Sequence, residues 1–372
     1  MAKGVYIGVD NKARKVKKMY IGVDGKARKV KKGYIGVGGV ARPFFTADQK
    51  LVYYGTITAP SVSRSFPGHG SIGNYAVFAG GNKDLYTFHS SVDTYNKSLT
   101  KGTATALSKG RSNIANASIG NYILFAGGLV SASTSTAQAY SAVVDAYNSS
   151  LTRSVPTALS AARDHHVGTH NTAYALIAGG GNNQANLFTV DAYNSSLTRS
   201  AAGQLSERLY DGGATFVGGY ALFAGGSAGS NKFSGVVSAY NSALTRSAPT
   251  ELSVGRRYVV GAHVGGYALF GGGNYNQNSD RVDAYDASLT RTTPAAFTIV
   301  SYQPNAVSTE SHAVFRIGTV INTYDASLTV THAATLTQGS NNNQGSINNP
   351  TASVGDYVLF GTAAVMEACV FS

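Results

Sequence analysis

The sequence predicts an all-β fold: a seven-bladed β-propeller closed by an N-terminal strand and preceded by a small arm of β-hairpin-like repeats. Three observations predict it. A strand–glycine–strand unit recurs along residues 51–372 in steps of 47, 52, 46, 47, 45 and 45 residues, a spacing that fits propeller blades. Charged residues are only 13% of the chain, while 44 glycines and 23 tyrosines punctuate it, as short strands and tight turns require. No helix-length apolar periodicity interrupts the repeats. Apolar residues are 43% of the total and fall at regular positions, which excludes a disordered chain.

The first element is the arm, residues 1–42. It holds three copies of a 14-residue unit, beginning at Val5, Met19 and Gly33, with tyrosines at Tyr6, Tyr20 and Tyr34. Each copy has a β-prone run, a turn pair (Asp10-Asn11, Asp24-Gly25, Gly38-Gly39) and, in the first two, a basic second run. Such pairs supply the positive φ of a two-residue hairpin turn. A hairpin alone is marginal in water, so the arm is expected to order against a partner or other copies of itself. The net charge of +12 is concentrated here: residues 1–42 carry 12 Lys/Arg against 2 Asp, and residues 43–372 carry 18 against 16 Asp/Glu. Residues 43–50 read as a linker.

The body, residues 51–372, follows. Its strand-and-glycine unit starts at Tyr75, Tyr122, Tyr174, Tyr220, Tyr267, His312 and Tyr357. A second unit is marked by Tyr95, Tyr147, Tyr193, Tyr240, Tyr285 and Tyr324. Asp precedes that tyrosine by two residues in four copies (Asp93, Asp145, Asp191, Asp283), with Ser238 and Asn322 in the others. A Leu-Thr pair, such as Leu197-Thr198, comes after it, and then an arginine: Arg64, Arg111, Arg163, Arg208, Arg256. Four strands per blade are assigned: one after the arginine (Tyr258–His263), the Tyr-Ala-Leu-Phe run, the Val-Asp-Ala-Tyr run, and one around Leu-Thr-Arg-Ser. Seven second strands but six complete third-plus-fourth units leave the last blade short. Residues 51–58 precede an Ala59-Pro60 pair that aligns with Ala248-Pro249, so they are expected to complete that blade and remove both open edges.

An arginine, a strand, a Gly-Gly pair and a tyrosine strand at this period resemble the kelch repeat over residues 51–372. The tryptophan that closes the kelch motif is absent, since the chain has no Trp, and leucines such as Leu197 are expected to take its packing place. The resemblance implies binding rather than catalysis. Separately, the repeat Tyr-Ile-Gly-Val-Asp-Gly-Lys-Ala-Arg-Lys-Val-Lys-Lys is similar to leader repeats on phage and prophage structural proteins of Gram-positive bacteria, which implies docking to a particle.

Several local patterns have plain readings. Gly68–Gly73 matches GxGxxG but leads into a strand instead of opening a helix, so a tight turn is expected rather than a phosphate loop. His165, His166 and His170, with Asp164, form the one histidine cluster and lack the partner spacing of a metal site; no metal or cofactor is expected. The repeated aspartates are expected to make structural hydrogen bonds, and the arginines to bridge blades or line one face. Asn96, Asn116, Asn148 and Asn194 lie in Asn-x-Ser sequons that are not expected to be glycosylated. Cys369 is the single cysteine, so no intrachain disulfide can form. No run approaches the ~18 apolar residues of a membrane helix, and no secretory signal is expected.

Function is expected where the chain does not repeat. The docking residues are Tyr6, Arg14, Lys15, Lys17, Lys18, Tyr20, Arg28, Lys29, Lys31, Lys32 and Tyr34. Loops at 130–141, 182–186, 227–233, 274–278 and 339–346 differ in length and carry candidate contacts Tyr140, Asn183, Gln184, Lys232, Phe233, Tyr275 and Gln277. The expectation is a non-enzymatic virion or tail-associated protein made in the host cytoplasm. Its arm meets virion proteins, its propeller is an adhesion head for a host-surface glycan or protein, and homo-oligomerisation is open. The alternatives are an intracellular scaffold whose arm binds nucleic acid and a carbohydrate-active enzyme. No paired carboxylates or nucleophile constellation stands out to favour the latter.

Overall fold

A computed structural model describes the chain apart from residues 1–5, 10–11, 16–18, 24–25, 31, 38–39, 47–48, 85, 132–137, 183–186, 230–231, 301, 339–349 and 363; in the arm strands, side chains are described only at Met19, Tyr20 and Val30. The chain divides into two compact units, Met1–Leu51 with Phe371–Ser372, and Val52–Val370.

The first unit contains three antiparallel pairs: Tyr6–Val9 with Lys12–Lys15, Met19–Val23 with Lys26–Val30, and Lys32–Val37 with Val40–Thr46. The third extends through Pro43 into residues read as linker. Its register steps from Gly33↔Phe45 to Tyr34↔Pro43, so Phe44 is an extra residue. A bulge of this kind is where a strand tolerates a proline.

The second unit is built from seven four-stranded antiparallel sheets. Blade 1 is Gly68–Ile72, Tyr75–Ala79, Val92–Asn96 and Lys101–Ala104. Blades 2 to 5 begin with Ala115–Ile119, Asp164–His170, Gly213–Val217 and Val260–Val264. Blade 6 begins with Asn305–Ser308 and blade 7 with Thr351–Val354. The last sheet is completed by the N-terminal strand Leu51–Ile57 beside Met366–Phe371. First strands touch in sequence around the ring, and Thr351–Val354 meets Gly68–Ile72 to close it. They surround a central channel.

Burial follows position in the blade. Second strands such as Tyr220–Ala224 are buried on both faces after the opening tyrosine, because blades pack on either side. First strands alternate, as in Gly213–Val217. Third-strand tyrosines Tyr95, Tyr147, Tyr193, Tyr240, Tyr285 and Tyr324 are fully buried. Each hydroxyl donates to a linker carbonyl, for example Tyr193 to Thr157 at 2.8 Å and Tyr240 to Gly203 at 2.9 Å, so a large apolar ring is buried with its polar tip satisfied.

The fourth strand begins at the arginine, as in Arg199–Ala201, because the Leu-Thr pair belongs to the preceding turn. Asn194 Oδ1 accepts from the N–H groups of Ser196 and Thr198, and Asn96 and Asn148 repeat the pattern. Three sequon asparagines therefore build turns. Leu197 sits there at φ 61°, with Leu99, Leu151, Leu244, Leu289 and Leu328 at nearly the same angle. Leucine rarely adopts this conformation. Here the side chain packs against a core shared by adjacent blades, Leu197 beside Tyr193, Leu159 and Ile177.

The glycine pairs end the second strands at positive φ, 70° and 82° at Gly179 and Gly180. A Cβ on Gly179 would lie 2.3 Å from the Leu209 carbonyl oxygen of the next blade. In the GxGxxG stretch only Gly73 makes a turn (φ 56°). Gly68 and Gly70 are in the first strand of blade 1, and a Cβ on Gly70 would lie 2.5 Å from Ile123.

Candidate functional site

The repeated charges form an internal frame. Arg64, Arg111, Arg163 and Arg256 are buried and pair with Asp93, Asp145, Asp191 and Asp283 of their own blades. The same aspartates accept from a linker serine, as Asp283 does from Ser253 N–H at 2.9 Å and its hydroxyl at 3.2 Å. The guanidinium also caps strand carbonyls, Arg256 reaching Gly272 and Phe270. The side chains thus brace single blades, and the blade-to-blade bridge is made by the arginine's own carbonyl, which accepts from Gly81, Gly128 and Gly226 of the preceding blade. In blade 4 the buried slot belongs to Leu209; Arg208 is one residue out of register and lies over the Phe188 ring at 6.0 Å.

Two residues beyond each buried slot the backbone turns into the channel-lining strand. Phe66, Asn113, His165, Asp211 and Tyr258 occupy this position in blades 1 to 5, at φ between 51° and 58°. Their backbones are linked: Asn113 N–H donates to Phe66 O at 3.0 Å, Asp211 to His165 at 3.3 Å, and Tyr258 to Asp211 at 2.6 Å. Five non-glycine residues in the left-handed region form a strained ring whose members differ in chemistry, and strain of this kind collects where side chains are aimed for use. They line a cavity of about 280 Å³ at one mouth of the channel. Deeper in, the Phe216 ring lies between His170 and His263, with centroids 4.0 and 3.9 Å away.

The polar side of the mouth centres on His165. Its Nδ1 is 2.8 Å from Asp164 Oδ2, its Nε2 is 3.9 Å from Asp211 Oδ1, and its ring stacks on Tyr210 at 4.5 Å. Burial is the largest single influence on His165 and opposes protonation, but the carboxylates of Asp164 and Asp211 together outweigh it and hold the imidazole above its ordinary pKa. Burial raises Asp211 against the opposing pull of His165 and of the Tyr258 hydroxyl bonded to it. Arg257 lies over the Tyr258 ring at 4.9 Å and the Phe233 ring at 5.7 Å, and donates to Tyr302 at 3.3 Å. The mouth offers stacking faces, an imidazole held toward its protonated form, a carboxyl group and phenols: groups for holding a polar ligand.

The variable loops rise beside this mouth, because the residue before each ring member bridges to the start of a second-to-third-strand loop: Ser112 to Leu129, Tyr210 to Ser227, Arg257 to Asn274. Two sequence-predicted contacts come into the site: Phe233 through Arg257, and Tyr140, whose phenol is raised by burial and by Asp164. Lys232 pairs with Glu207 at 3.4 Å, and Gln277 donates to the Tyr275 hydroxyl at 2.6 Å. Asn183 and Gln184, residues 132–137 of the 130–141 loop and all of 339–346 lie outside the described residues, as do Lys17, Lys18 and Lys31 and the side chains of Tyr6, Arg14, Lys15, Arg28, Lys29, Lys32 and Tyr34; Tyr20 is exposed.

The histidines of the expected cluster separate. His165 is at the mouth, His170 packs on Phe216, and His166 turns to the Ala126 carbonyl at 2.9 Å with its pKa lowered by burial to about 3. Among the described residues no group of three or more His, Cys, Asp or Glu is placed to hold a metal. Sequence reading missed Asp211 and Tyr258 and gave His165 only to that cluster. Ring members are about one repeat apart and share position, not residue type. Aligning the repeats on Leu-Ser (Leu159-Ser160, Leu205-Ser206, Leu252-Ser253) and reading six residues past the leucine finds three of them.

No family model matches the chain, and no curated protein matches it. Among solved structures, that of YjhT matches with a TM-score of 0.56 at 12% identity, covering 74% of this chain and 98% of that one. At this identity the likeness shows the propeller fold alone. The architecture matches 533 solved chains, so it selects no activity by itself.

Proposed function

We propose that the chain is a binding protein of the phage-virion type, with a kelch-like propeller that recognises its ligand at the channel mouth and an N-terminal arm that docks it to the particle. The observation that carries the recognition half is the ring of unlike left-handed residues, Phe66, Asn113, His165, Asp211 and Tyr258, set beside the variable loops. The docking half rests on the resemblance of the leader repeats and on the 12 Lys/Arg among residues 1–42. We read the mouth as binding rather than catalytic because Asp164 and Asp211 flank His165, and Asp211 also holds Tyr258.

The two halves are tested separately on purified particles. Deleting residues 1–42 should abolish incorporation, and normal incorporation would overturn the docking role. His165→Ala with Tyr258→Ala should incorporate normally but lose attachment to host cells; unchanged attachment would overturn the recognition role. A second reading has its own support in the arm's charge, which suits a polyanion. Retention on DNA that falls steeply between low and moderate salt would favour it.

A further inference from the structure

The repeat provides its own comparison for one position. In blades 3 and 5 a buried carboxylate lies between two arginines. Asp191 accepts from Arg163 Nη2 at 2.7 Å and Arg199 Nη1 at 2.7 Å; Asp283 accepts from Arg256 Nη2 at 2.8 Å and Arg291 Nη1 at 3.0 Å. Linker serines complete each site: Ser160 donates its N–H and hydroxyl to Asp191, and Ser253 does the same for Asp283.

Blade 4 keeps half of this set. Ser238 stands where the aspartate stands, opposite Phe223 as Asp283 stands opposite Phe270, and it is buried. Leu209 fills the inner arginine's slot. The outer arginine remains: Arg246 pairs across from Tyr240 as Arg291 does from Tyr285. The linker serine also remains, as Ser206 after Leu205. Nη1 of Arg246, the atom that holds the aspartate in blades 3 and 5, is sealed from solvent and has no hydrogen-bond partner. Serine carries a hydroxyl where aspartate carries a carboxylate, so its side chain ends one atom short of the carboxylate oxygens. The position therefore lacks an acceptor of carboxylate size and keeps donors suited to one. A buried guanidinium N–H left without an acceptor is costly, and a single cation calls for a single negative charge.

We propose that blade 4 binds a small free monoanion, a carboxylate such as formate or a halide, between Arg246, Ser206 and Ser238, in the place that aspartate fills in the neighbouring blades. The site is independent of the channel mouth and of the arm.

The test uses the full chain and sodium formate, exchanged against sodium gluconate at constant ionic strength. The thermal midpoint of the wild-type protein should rise saturably with formate, since a ligand of the native state alone raises the midpoint. Ser238→Asp, which supplies the missing carboxylate in cis, should unfold at a higher midpoint in gluconate and lose the formate response. Arg246→Gln should also lose it, and serves if Ser238→Asp does not fold. The line width of the 13C-formate NMR signal gives a readout free of stability effects: broadening by wild-type protein that disappears in Arg246→Gln supports the site. A wild-type protein indifferent to formate, or a response unchanged in either variant, would overturn it.

Discussion

Nη2 of Arg163 lies 2.7 Å from Oδ2 of Asp191, and neither side chain is more than 1% exposed. Removing Arg163 leaves Asp191 buried with Arg199, 2.7 Å away, as its remaining cationic partner, so the cost falls below the about 3–5 kcal/mol of a buried charge left with no partner, whereas replacing both members of a pair by uncharged residues is often nearly neutral. The chain carries that replacement in blade 4, where Leu209 and Ser238 occur together. Arg163→Leu should therefore lower unfolding free energy by roughly 2–3 kcal/mol. Adding Asp191→Ser should recover part of the loss, the remainder being the acceptor that Arg199 then lacks. Urea unfolding of the two variants checks this; a double variant worse than the single would contradict the pairing argument.

The charge on His165 depends on two carboxylates at unequal distance, 2.8 Å to Asp164 and 3.9 Å to Asp211. Both raise its pKa against the larger effect of burial. Asp164→Asn should lower the His165 pKa more than Asp211→Asn does, and both should lower it. NMR titration of the imidazole measures the order directly. The reverse order would place the proton on the other side of the ring.

Cys369 occupies in blade 7 the position that tyrosine holds in the other blades, since it pairs with Val358 as Tyr147 pairs with Ile123. It is fully buried, and burial followed by the Glu367 carboxylate pushes its thiol up to about 12. The thiolate is the reactive form. Native protein should react with a thiol reagent no faster than it unfolds, and reaction should become rapid in denaturant. Fast labelling of folded protein would mean that blade 7 opens by itself.

Features that repeat in residue type are legible in the sequence, and features that repeat only in position are not. Seven second strands, five of them ending on a glycine pair, carry the blade number, and the surplus strand at residues 51–58 carries the closure, because the backbone demands of strand ends recur even where the side chains drift. As an arginine, Arg208 aligns with Arg64, Arg111, Arg163 and Arg256 in the repeat, yet the Leu205-Ser206 anchor places Leu209 in their buried position. The sequence reads the Leu-Thr pair as part of a strand, since propensity does not expect leucine at φ 61°; packing between blades overrides it. The channel mouth was illegible for the opposite reason. Its register repeats, but Phe66, Asn113, His165, Asp211 and Tyr258 share no chemistry, and only the fold brings them round one axis.

Acid should destabilise the propeller through the channel histidines. Burial lowers His166 to about 3, and His69 and His263 to about 4, from an ordinary value of 6.5. Above pH 6.5 both folded and unfolded forms are neutral at these sites, and they contribute no pH dependence. Between about 6.5 and 4 the unfolded chain takes up protons that the folded chain refuses, so stability falls as pH falls, by about 1.4 kcal/mol per unit for each histidine. His165, shifted upward, acts on the other side: its contribution is complete below 6.5 and is lost as pH rises through its raised value. The two effects occupy separate windows. His263 faces the Phe216 ring and His170, and its N–H donates to Ser308 at 2.8 Å through the backbone, so His263→Asn keeps that bond while removing one titrating group. Denaturation free energies measured from pH 6.5 to 4.5 should show a slope smaller by about 1.4 kcal/mol per unit in His263→Asn than in the parent. Equal slopes would mean that His263 takes its proton in the folded channel.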